Sequence, residues 1–156
     1  MDKRKFRDAL GSFATGVCVV TVVPAQGAPI GMTVNSFASV SLEPPLVLWS
    51  IQYTSECFEV FNAAERFAIN VLSTEQEGHS NVYSKRGEHT LDAGHFTLGR
   101  TGSPILRESL TCFECRMWAR YAGGDHLIIV GEVLDFTTRP TGQPLLFHKG
   151  RYAHIR

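Results

Sequence analysis

The stretch Gly31-Met32-Thr33-Val34-Asn35-Ser36-Phe37-Ala38-Ser39-Val40-Ser41 decides how the rest of the chain is interpreted. It begins and ends like a β-strand, and strict alternation puts Thr33, Asn35 and Ser39 on one face and Ser36 on the other. A half-buried strand should have one apolar face, whereas both faces here carry a hydroxyl or an amide. Gly31 would let a partner or another strand approach the backbone without meeting a side chain.

Two interpretations fit this pattern. The stretch could contact a partner that needs short, neutral donors and acceptors close to the backbone, such as a polyol or a phosphate chain. It could equally be an edge strand whose Ser and Thr side chains face water. The spacing alone does not separate the two.

Length and composition predict one globular domain over residues 1–156, long enough to bury a core. Hydrophobic residues make up 44% of the chain and charged residues 19%, and 15 basic residues balance 15 acidic ones. A nucleic-acid binder would normally show a basic stripe, and the short cluster of cations at residues 3–7 is interpreted as the solvated face of a first helix. We therefore expect no nucleic-acid partner.

The N-terminal region begins with basic residues followed by apolar ones, which superficially resembles a signal peptide. Polar residues and glycines interrupt its apolar part, and the β-branched residues of 17–23 favour a strand. No stretch is long and apolar enough to span a membrane. These features predict a cytoplasmic protein without a signal peptide or a membrane contact.

The four cysteines, at positions 18, 57, 112 and 115, are compatible with a reducing compartment. Cys112 and Cys115 have the spacing of a redox or zinc motif, but they fall in a predicted strand over 110–121, where residues three apart face opposite ways. No second pair of cysteines or histidines offers the remaining zinc ligands. We expect ordinary buried cysteines and no metal site.

Three helices and many short strands are predicted along the chain. Apolar spacing indicates a helix over 3–13, a helix over 56–64 follows an N-cap at Thr54 or Ser55, and a capping box at 73–76 begins a helix that runs to about residue 85. Residues 86–102 are predicted as a long loop with at most a short strand. The predicted strands cover 16–23, 46–51, 66–72, 110–121, 127–136, 144–147 and 152–155. Tight turns between most of these strands favour a β-barrel with peripheral helices over a parallel sheet.

Six segments then resemble one family, in order and over nearly the whole chain. The resemblance is to the short-chain NAD(P)H:flavin reductases, the small reductase components of two-component flavin-dependent monooxygenases such as 4-hydroxyphenylacetate hydroxylase. Each segment alone is a weak signal, and six in sequence are a strong one. The segments are Phe6-Arg7-x-Ala9-Leu10-Gly11-x-Phe13-Ala14-Thr15-Gly16-Val17, Gly31-Met32-Thr33-Val34-Asn35-Ser36-Phe37, Pro44-Pro45-Leu46-Val47, Phe67-Ala68-Ile69-Asn70-Val71-Leu72, Gly124-Asp125-His126 and Gly150-Arg151-Tyr152.

The resemblance implies a mainly β fold, an FMN-binding split β-barrel with peripheral helices, which binds FMN or FAD and forms a homodimer with flavin sites near the subunit interface. It places flavin contacts along the central stretch, at the end of a buried strand and at a helix start, and it makes His126 the best candidate for the nicotinamide pocket. Arg151 would meet a phosphate or the polar edge of the flavin, or remain a solvated charge, and Tyr152 belongs to the site or to the core. The resemblance implies that the ribityl and phosphate region of the flavin is held by Thr33, Asn35 and Ser36. It implies that the isoalloxazine ring lies beside Ser50 and Ile51, and that a flavin phosphate is contacted by Ser55.

The function implied by this resemblance is reduction of free FMN or FAD by NADH or NADPH, with the reduced flavin passed to a separate monooxygenase. Hydride transfer between two cofactors requires no nucleophile and no metal, because the cofactors carry the difficult step. The alternative from another class is an electron carrier that keeps FMN and exchanges electrons with a protein partner. His126 and the turn before it favour the enzyme.

Overall fold

The computed structural model describes all 156 residues, and the chain is mainly β with three short helices. The helices are α1 (Lys3–Leu10), α2 (Phe58–Ala63) and α3 (Glu77–Tyr83), and a 3-10 turn at Thr74–Gln76 precedes α3. The strands are β1 (Thr15–Gly16), β2 (Cys18–Val22), β3 (Ile30–Val34), β4 (Ala38–Leu42), β5 (Pro45–Gln52), β6 (Arg66–Val71), β7 (Phe96–Leu98), β8 (Pro104–Leu106), β9 (Thr111–Gly123), β10 (His126–Thr138), β11 (Leu146–His148) and β12 (Arg151–Ala153). None of the helices has the length and apolar character that crossing a membrane would need.

Seven antiparallel strands form one sheet in the order β3-β2-β6-β9-β10-β5-β4, which puts β3 and β4 at opposite edges. Only residues 35–37 connect these two edges. Six strand spacings in a flat sheet would separate the edges by about 29 Å, whereas the link can span at most about 15 Å. The sheet therefore curls until its edges lie side by side without pairing to each other, which is the predicted split barrel.

The alternation assumed across the central stretch is wrong, because the strand breaks at residues 35–37. In place of a backbone pair, the Ser36 hydroxyl accepts a hydrogen bond from Ser50 N at 2.9 Å and donates one to Ser50 O at 3.3 Å. Ala38, two residues after Ser36, forms a regular backbone pair with Leu48, two residues before Ser50. The Ser36 side chain thus continues the β4–β5 contact beyond the point where the ladder stops.

The long loop over 86–102 has the predicted character, since its only strand is β7, and its first part covers the edge of β3. Gly31 N donates to His89 O at 2.8 Å, and Leu91 N donates to Pro29 O at 2.9 Å. A Cβ on Gly31 would lie 2.8 Å from the Leu91 side chain and 3.0 Å from that of Val19. Gly31 therefore permits the close approach inferred from the sequence, and the approaching segment is this loop.

The His89 side chain fixes the same loop at a second point. Its Nδ1 lies 2.9 Å from Gly31 O, and its Nε2 lies 2.9 Å from the Glu56 carboxylate just before α2. At the far end of the loop, the buried Glu114 carboxylate accepts hydrogen bonds from Arg100 N and from the Thr101 backbone and hydroxyl. Both ends of the loop are thus tied to the barrel.

Two predicted helices differ from the observed ones. The first ends at Leu10 rather than at residue 13, and none of its residues is buried, although its apolar spacing predicted a packed face. The second begins at Phe58 with Cys57 as its N-cap, so the predicted cap at Thr54 or Ser55 is wrong; the Ser55 hydroxyl instead accepts a hydrogen bond from Cys57 N at 3.2 Å. The capping box at 73–76 is confirmed, and in it Ser73 N donates a hydrogen bond to Gln76 Oε1 at 2.9 Å.

Aromatic side chains fill the barrel, and a buried amide ties its strands together. Trp49, which is fully buried, meets Phe61 and Phe67 edge-on at centroid distances of 5.1 and 6.0 Å. Asn70 on β6 donates to Val19 O at 2.9 Å and to the Thr21 hydroxyl at 3.1 Å, and its Oδ1 accepts from Leu106 N at 2.8 Å. Asn70 therefore links β2, β6 and β8.

Replacing Asn70 with Ala should lower the free energy of unfolding by about 3 kcal/mol. The change leaves Leu106 N buried without a partner, at a cost of roughly 1–3 kcal/mol, and it removes two further hydrogen bonds, to Val19 O and to the Thr21 hydroxyl, each worth on the order of 1 kcal/mol. Urea denaturation measures the effect, and Asn62→Ala in α2 serves as the control, with an expected change within about 0.5 kcal/mol. A loss below about 1 kcal/mol for Asn70→Ala would show that the amide does not hold these strands.

Candidate functional site

A cleft of about 240 Å³ lies where the link between β3 and β4 passes the end of β5. This central cleft brings together seven of the nine predicted site residues, although they come from separate parts of the chain. Met32, Val34 and Gln52 complete its walls. The seven predicted residues that line it are Thr33, Asn35, Ser36, Ser50, Ile51, Ser55 and His126.

The strand register explains why these residues meet. His126 begins β10 and pairs with Gln52 at the end of β5, and Ile128 pairs with Ser50. Because residues 35–37 cross the open side of the barrel next to β5, Asn35 and Ser36 face the same cleft. The site thus forms where the barrel is split.

A neighbouring side cleft of about 440 Å³ shares Thr33, Val34 and Asn35 with the central cleft. Tyr152 lines this side cleft, so the structure places it beside the site rather than in the central cleft. Arg151 is exposed and lines neither cleft. Its predicted contact with a phosphate or the flavin's polar edge stays a prediction.

Helix α3 and the C-cap residue that ends it contribute polar residues to the side cleft that sequence reasoning missed: Ser80, Asn81 and Ser84. The Tyr152 hydroxyl lies 2.6 Å from Ser80 Oγ and donates to Asn81 Oδ1 at 3.0 Å. The only feature of the sequence that could have indicated these cleft residues is the spacing of Ser80 and Ser84, which puts both hydroxyls on one face of a helix. That signal is weak, because exposed helix faces are usually polar.

Several predicted hydroxyls already have partners within the chain. Thr33 donates to Ser80 O at 2.8 Å, Ser36 is bonded twice to Ser50, and Ser55 contacts Met32 Sδ at 3.5 Å and Cys57 N. A hydroxyl oxygen retains acceptor capacity after donating its hydrogen. Asn35, by contrast, is exposed and lies on both clefts, so its amide is accessible from either of them.

His126 lies at the mouth of the central cleft and is oriented by its neighbour. Its Nδ1 is 2.6 Å from the Asp125 carboxylate, and its side chain is 37% exposed. The hydrogen bond from His126 lowers the pKa of Asp125 below its ordinary value. A carboxylate can only accept, so Nδ1 carries the hydrogen and Nε2 is the ring nitrogen left for another partner.

The four cysteines are all free and buried. Burial raises the pKa of Cys18 and Cys115 to about 12 and that of Cys57 and Cys112 to about 11, so the thiols stay protonated at neutral pH. Cys115 belongs to the barrel core, while Cys112 Sγ lies 3.7 Å from Leu106 O outside that core cluster. The two cysteines face apart, as the strand alternation predicted.

The donor set of the central cleft suits a flavin. Val34 and Ile51 provide an apolar surface for a planar ring, and the hydroxyls and amides around them match a polyol chain. None of the ten lining residues is a carboxylate, a lysine or an arginine. Such a site can hold and orient an amphipathic cofactor without acting on it as acid or base, except through His126.

Comparisons with known proteins agree with this chemistry. Residues 10–156 match the family described as flavin reductase-like domain. The chain is 48% identical over 154 residues to the FMN reductase (NADH) SmoA of Agrobacterium fabrum, covering 99% of this chain and 87% of that protein. It is 36% identical over 155 residues to HsaB of Rhodococcus jostii, a reductase subunit of a flavin-dependent monooxygenase, with 99% and 79% covered.

Solved structures give the same result. The NADH:FAD oxidoreductase SgcE6 of Streptomyces globisporus superposes with a TM-score of 0.93 at 36% identity, covering 99% of this chain and 94% of that one. SgcE6 has also been solved in complex with NAD and FAD fragments. The flavin reductase PheA2 superposes with a TM-score of 0.91 at 37% identity, covering 100% and 99%.

Replacing Asn35 with Ala should weaken flavin binding about fivefold without lowering stability, because a lost hydrogen bond is worth on the order of 1 kcal/mol and this exposed amide can be removed without leaving a buried group unpaired. Ser36→Ala is the comparison variant, since it removes both hydrogen bonds to Ser50 and should lower the melting temperature. Fluorescence titration with FMN and a thermal melt separate the two effects. Unchanged FMN affinity in Asn35→Ala would remove Asn35 from the site.

Proposed function

The chain belongs to the flavin reductase-like domain family, and we propose that its central cleft is where free FMN or FAD is reduced by NADH or NADPH. The protein is an NAD(P)H-dependent flavin oxidoreductase, as its relatives are. The observation that carries the proposal is the meeting of seven separately predicted residues in one cleft with an apolar wall and neutral donors. The site residues are assigned on that ground.

A flavin bound here supplies the acceptor for the hydride of the reduced nicotinamide. Ile51 and Val34 exclude water from one side of the cleft, and Asn35 and Ser50 hold the polar part of the flavin. The reacting atoms must come within about 3–3.5 Å, so the protein's main task is to position the two rings. His126, held by Asp125 at the mouth, orients the nicotinamide through Nε2.

The reduced flavin is released to a separate flavin-dependent monooxygenase. Relatives are named as reductase components of a flavin-dependent monooxygenase, of a flavin-dependent trigonelline monooxygenase and of a stachydrine N-demethylase. The organic substrate therefore belongs to the partner component, and this chain supplies only the reduced flavin.

We also propose a homodimer in the cytoplasm. Apolar side chains are exposed along the open edge strand β4, where Leu42 is 95% and Val40 is 49% exposed, and on α1, where Phe6 is 49% exposed. Exposed apolar surface of this kind is typical of a subunit interface. The four free cysteines fit a reducing compartment. Sedimentation as a monomer at micromolar concentration would contradict the dimer.

Steady-state oxidation of NADH, with and without added FMN or FAD, tests the proposed reaction. The rate should depend on added flavin and saturate with it, because the flavin is a substrate that is released. Absence of NADH oxidation with either flavin, and with NADPH in place of NADH, would favour the alternative of an electron carrier that keeps its FMN.

Replacing His126 with Ala should impair reduction by NADH and leave flavin affinity nearly unchanged. The loss should appear in the rate of hydride transfer or in the KM for NADH, at about tenfold for each 1.4 kcal/mol of transition-state or binding energy removed. Stopped-flow reduction of bound flavin measures the rate, and a thermal melt checks the fold. Normal reduction kinetics in a folded variant would strike His126 from the site, whereas joint loss of stability and flavin affinity would make it structural.

A further inference from the structure

The side chain of His89 is the point at which the long loop contacts both sides of the central cleft. Its Nδ1 lies 2.9 Å from Gly31 O on β3, and its Nε2 lies 2.9 Å from the Glu56 carboxylate before α2. Met32 and Ser55, which line the cleft, are the direct sequence neighbours of these two partners. They also contact each other, with Ser55 Oγ 3.5 Å from Met32 Sδ, but a thioether is a weak acceptor. This contact of the ring, the His89 bridge, therefore joins the two sides of the cleft from outside.

Both partners of the His89 ring can only accept hydrogen bonds. A backbone carbonyl has no hydrogen to donate, and the ionised Glu56 carboxylate also accepts a hydrogen bond from Gly87 N. A neutral imidazole carries one hydrogen and can donate to only one of the two oxygens, whereas the imidazolium ion donates from both nitrogens. The His89 bridge is therefore complete only when the ring carries both hydrogens and a positive charge.

The surroundings of the ring suit that charge. The side chain of His89 is 13% exposed and that of Glu56 is 31% exposed, so the hydrogen bond between them is charge-assisted and partly shielded from water. Strand β3 has no titratable side chain, and the neighbouring Glu88 of the loop is exposed. Arg86 is the other cation at Glu56, with its Nε 3.9 Å from the second carboxylate oxygen, and its side chain is 89% exposed. Glu56 is thus the charged partner that faces His89.

We propose that His89 is a positioning residue whose second proton holds the two sides of the central cleft together, so that flavin affinity falls as the pH rises. This inference rests on the proposed function, in which the flavin occupies that cleft. Imidazoles lose their second proton between about pH 5 and 8. Its loss from His89 breaks the hydrogen bond to Gly31 O or the one to Glu56, which frees one wall of the cleft. The complete bridge is present at low pH and is lost as the pH rises.

Glu56→Gln separates the charge of the ring from the bridge itself. The Gln amide nitrogen can donate to a neutral His89 ring, whose remaining hydrogen then goes to Gly31 O, so both contacts survive deprotonation. His89→Asn removes the bridge at every pH, because its side chain is too short to reach both oxygens. His154→Gln is the matched control, since it removes an exposed histidine that lines neither cleft.

Fluorescence titration with FMN compares the four proteins at the same pH, so that titration of the FMN phosphate and of His126 cancels in the ratios of their Kd values. At about pH 5.5, the wild type and Glu56→Gln should bind FMN about equally. At about pH 8.5, the wild type should bind about tenfold more weakly than Glu56→Gln, the size expected for one hydrogen bond to a charged group. His89→Asn should bind more weakly than Glu56→Gln at both pH values, and His154→Gln should behave as the wild type.

Measurements without flavin test the His89 bridge independently of the proposed reaction. Nitrogen NMR of the wild-type side chains should show hydrogens on both His89 nitrogens at about pH 5.5. The Gly31 amide, which donates to His89 O, should exchange its hydrogen faster in the wild type than in Glu56→Gln at high pH only. A neutral His89 ring at low pH, or a Kd ratio that does not change with pH, overturns the proposal. Both flavin-free results as expected, with no FMN binding in any of the proteins, would instead contradict the proposed function.

Discussion

The short link over residues 35–37 is the constraint on which the rest of the structure depends. Three residues must join the two edges of a seven-stranded sheet, so the sheet has to curl until those edges are adjacent. The same three residues cannot continue either strand, and the Ser36 hydroxyl replaces the missing backbone pair with Ser50. The opening that remains beside them is the central cleft. The fold and the site therefore have the same cause. The link over residues 35–37 is too short for the sheet to stay flat, and because it does not pair as a strand it leaves an opening between the two edges.

The loop over 86–102 completes this arrangement from outside. Without it, β3 would be an unpaired edge next to the cleft, and such edges invite pairing with other chains. Residues 89–91 cover that edge through backbone hydrogen bonds, and the His89 ring joins Gly31 to Glu56. Glu56 directly follows Ser55, so this contact also fixes the wall of the cleft at the start of α2. A polar loop thus serves the site without supplying a residue to the central cleft.

The sequence predicted the order and type of nearly all elements, because their apolar periodicity and capping residues are local signals. The family resemblance predicted the residues of the central cleft, which periodicity could not bring together. Three features were predicted neither by these local signals nor by the family resemblance. The break at 35–37 depends on distant edges of the sheet, the polar face of α3 looks like any solvated helix, and the exposure of α1 depends on what the barrel leaves uncovered. Each of these is decided by contacts between segments far apart in the chain.

The chemistry of the central cleft also bears on how long it keeps its flavin. Its ten lining residues include no lysine, arginine or carboxylate, so it holds the ligand through neutral hydrogen bonds and an apolar wall. A neutral hydrogen bond contributes about 1 kcal/mol, roughly half of what a bond to a charged group contributes. Several of its hydroxyls are further committed to the protein itself, Thr33 to Ser80 and Ser36 to Ser50. An affinity limited in this way suits a flavin that must leave after each reduction. A carrier that retained FMN would gain from a cation at the phosphate inside the central cleft, and no lysine or arginine of this chain lines that cleft.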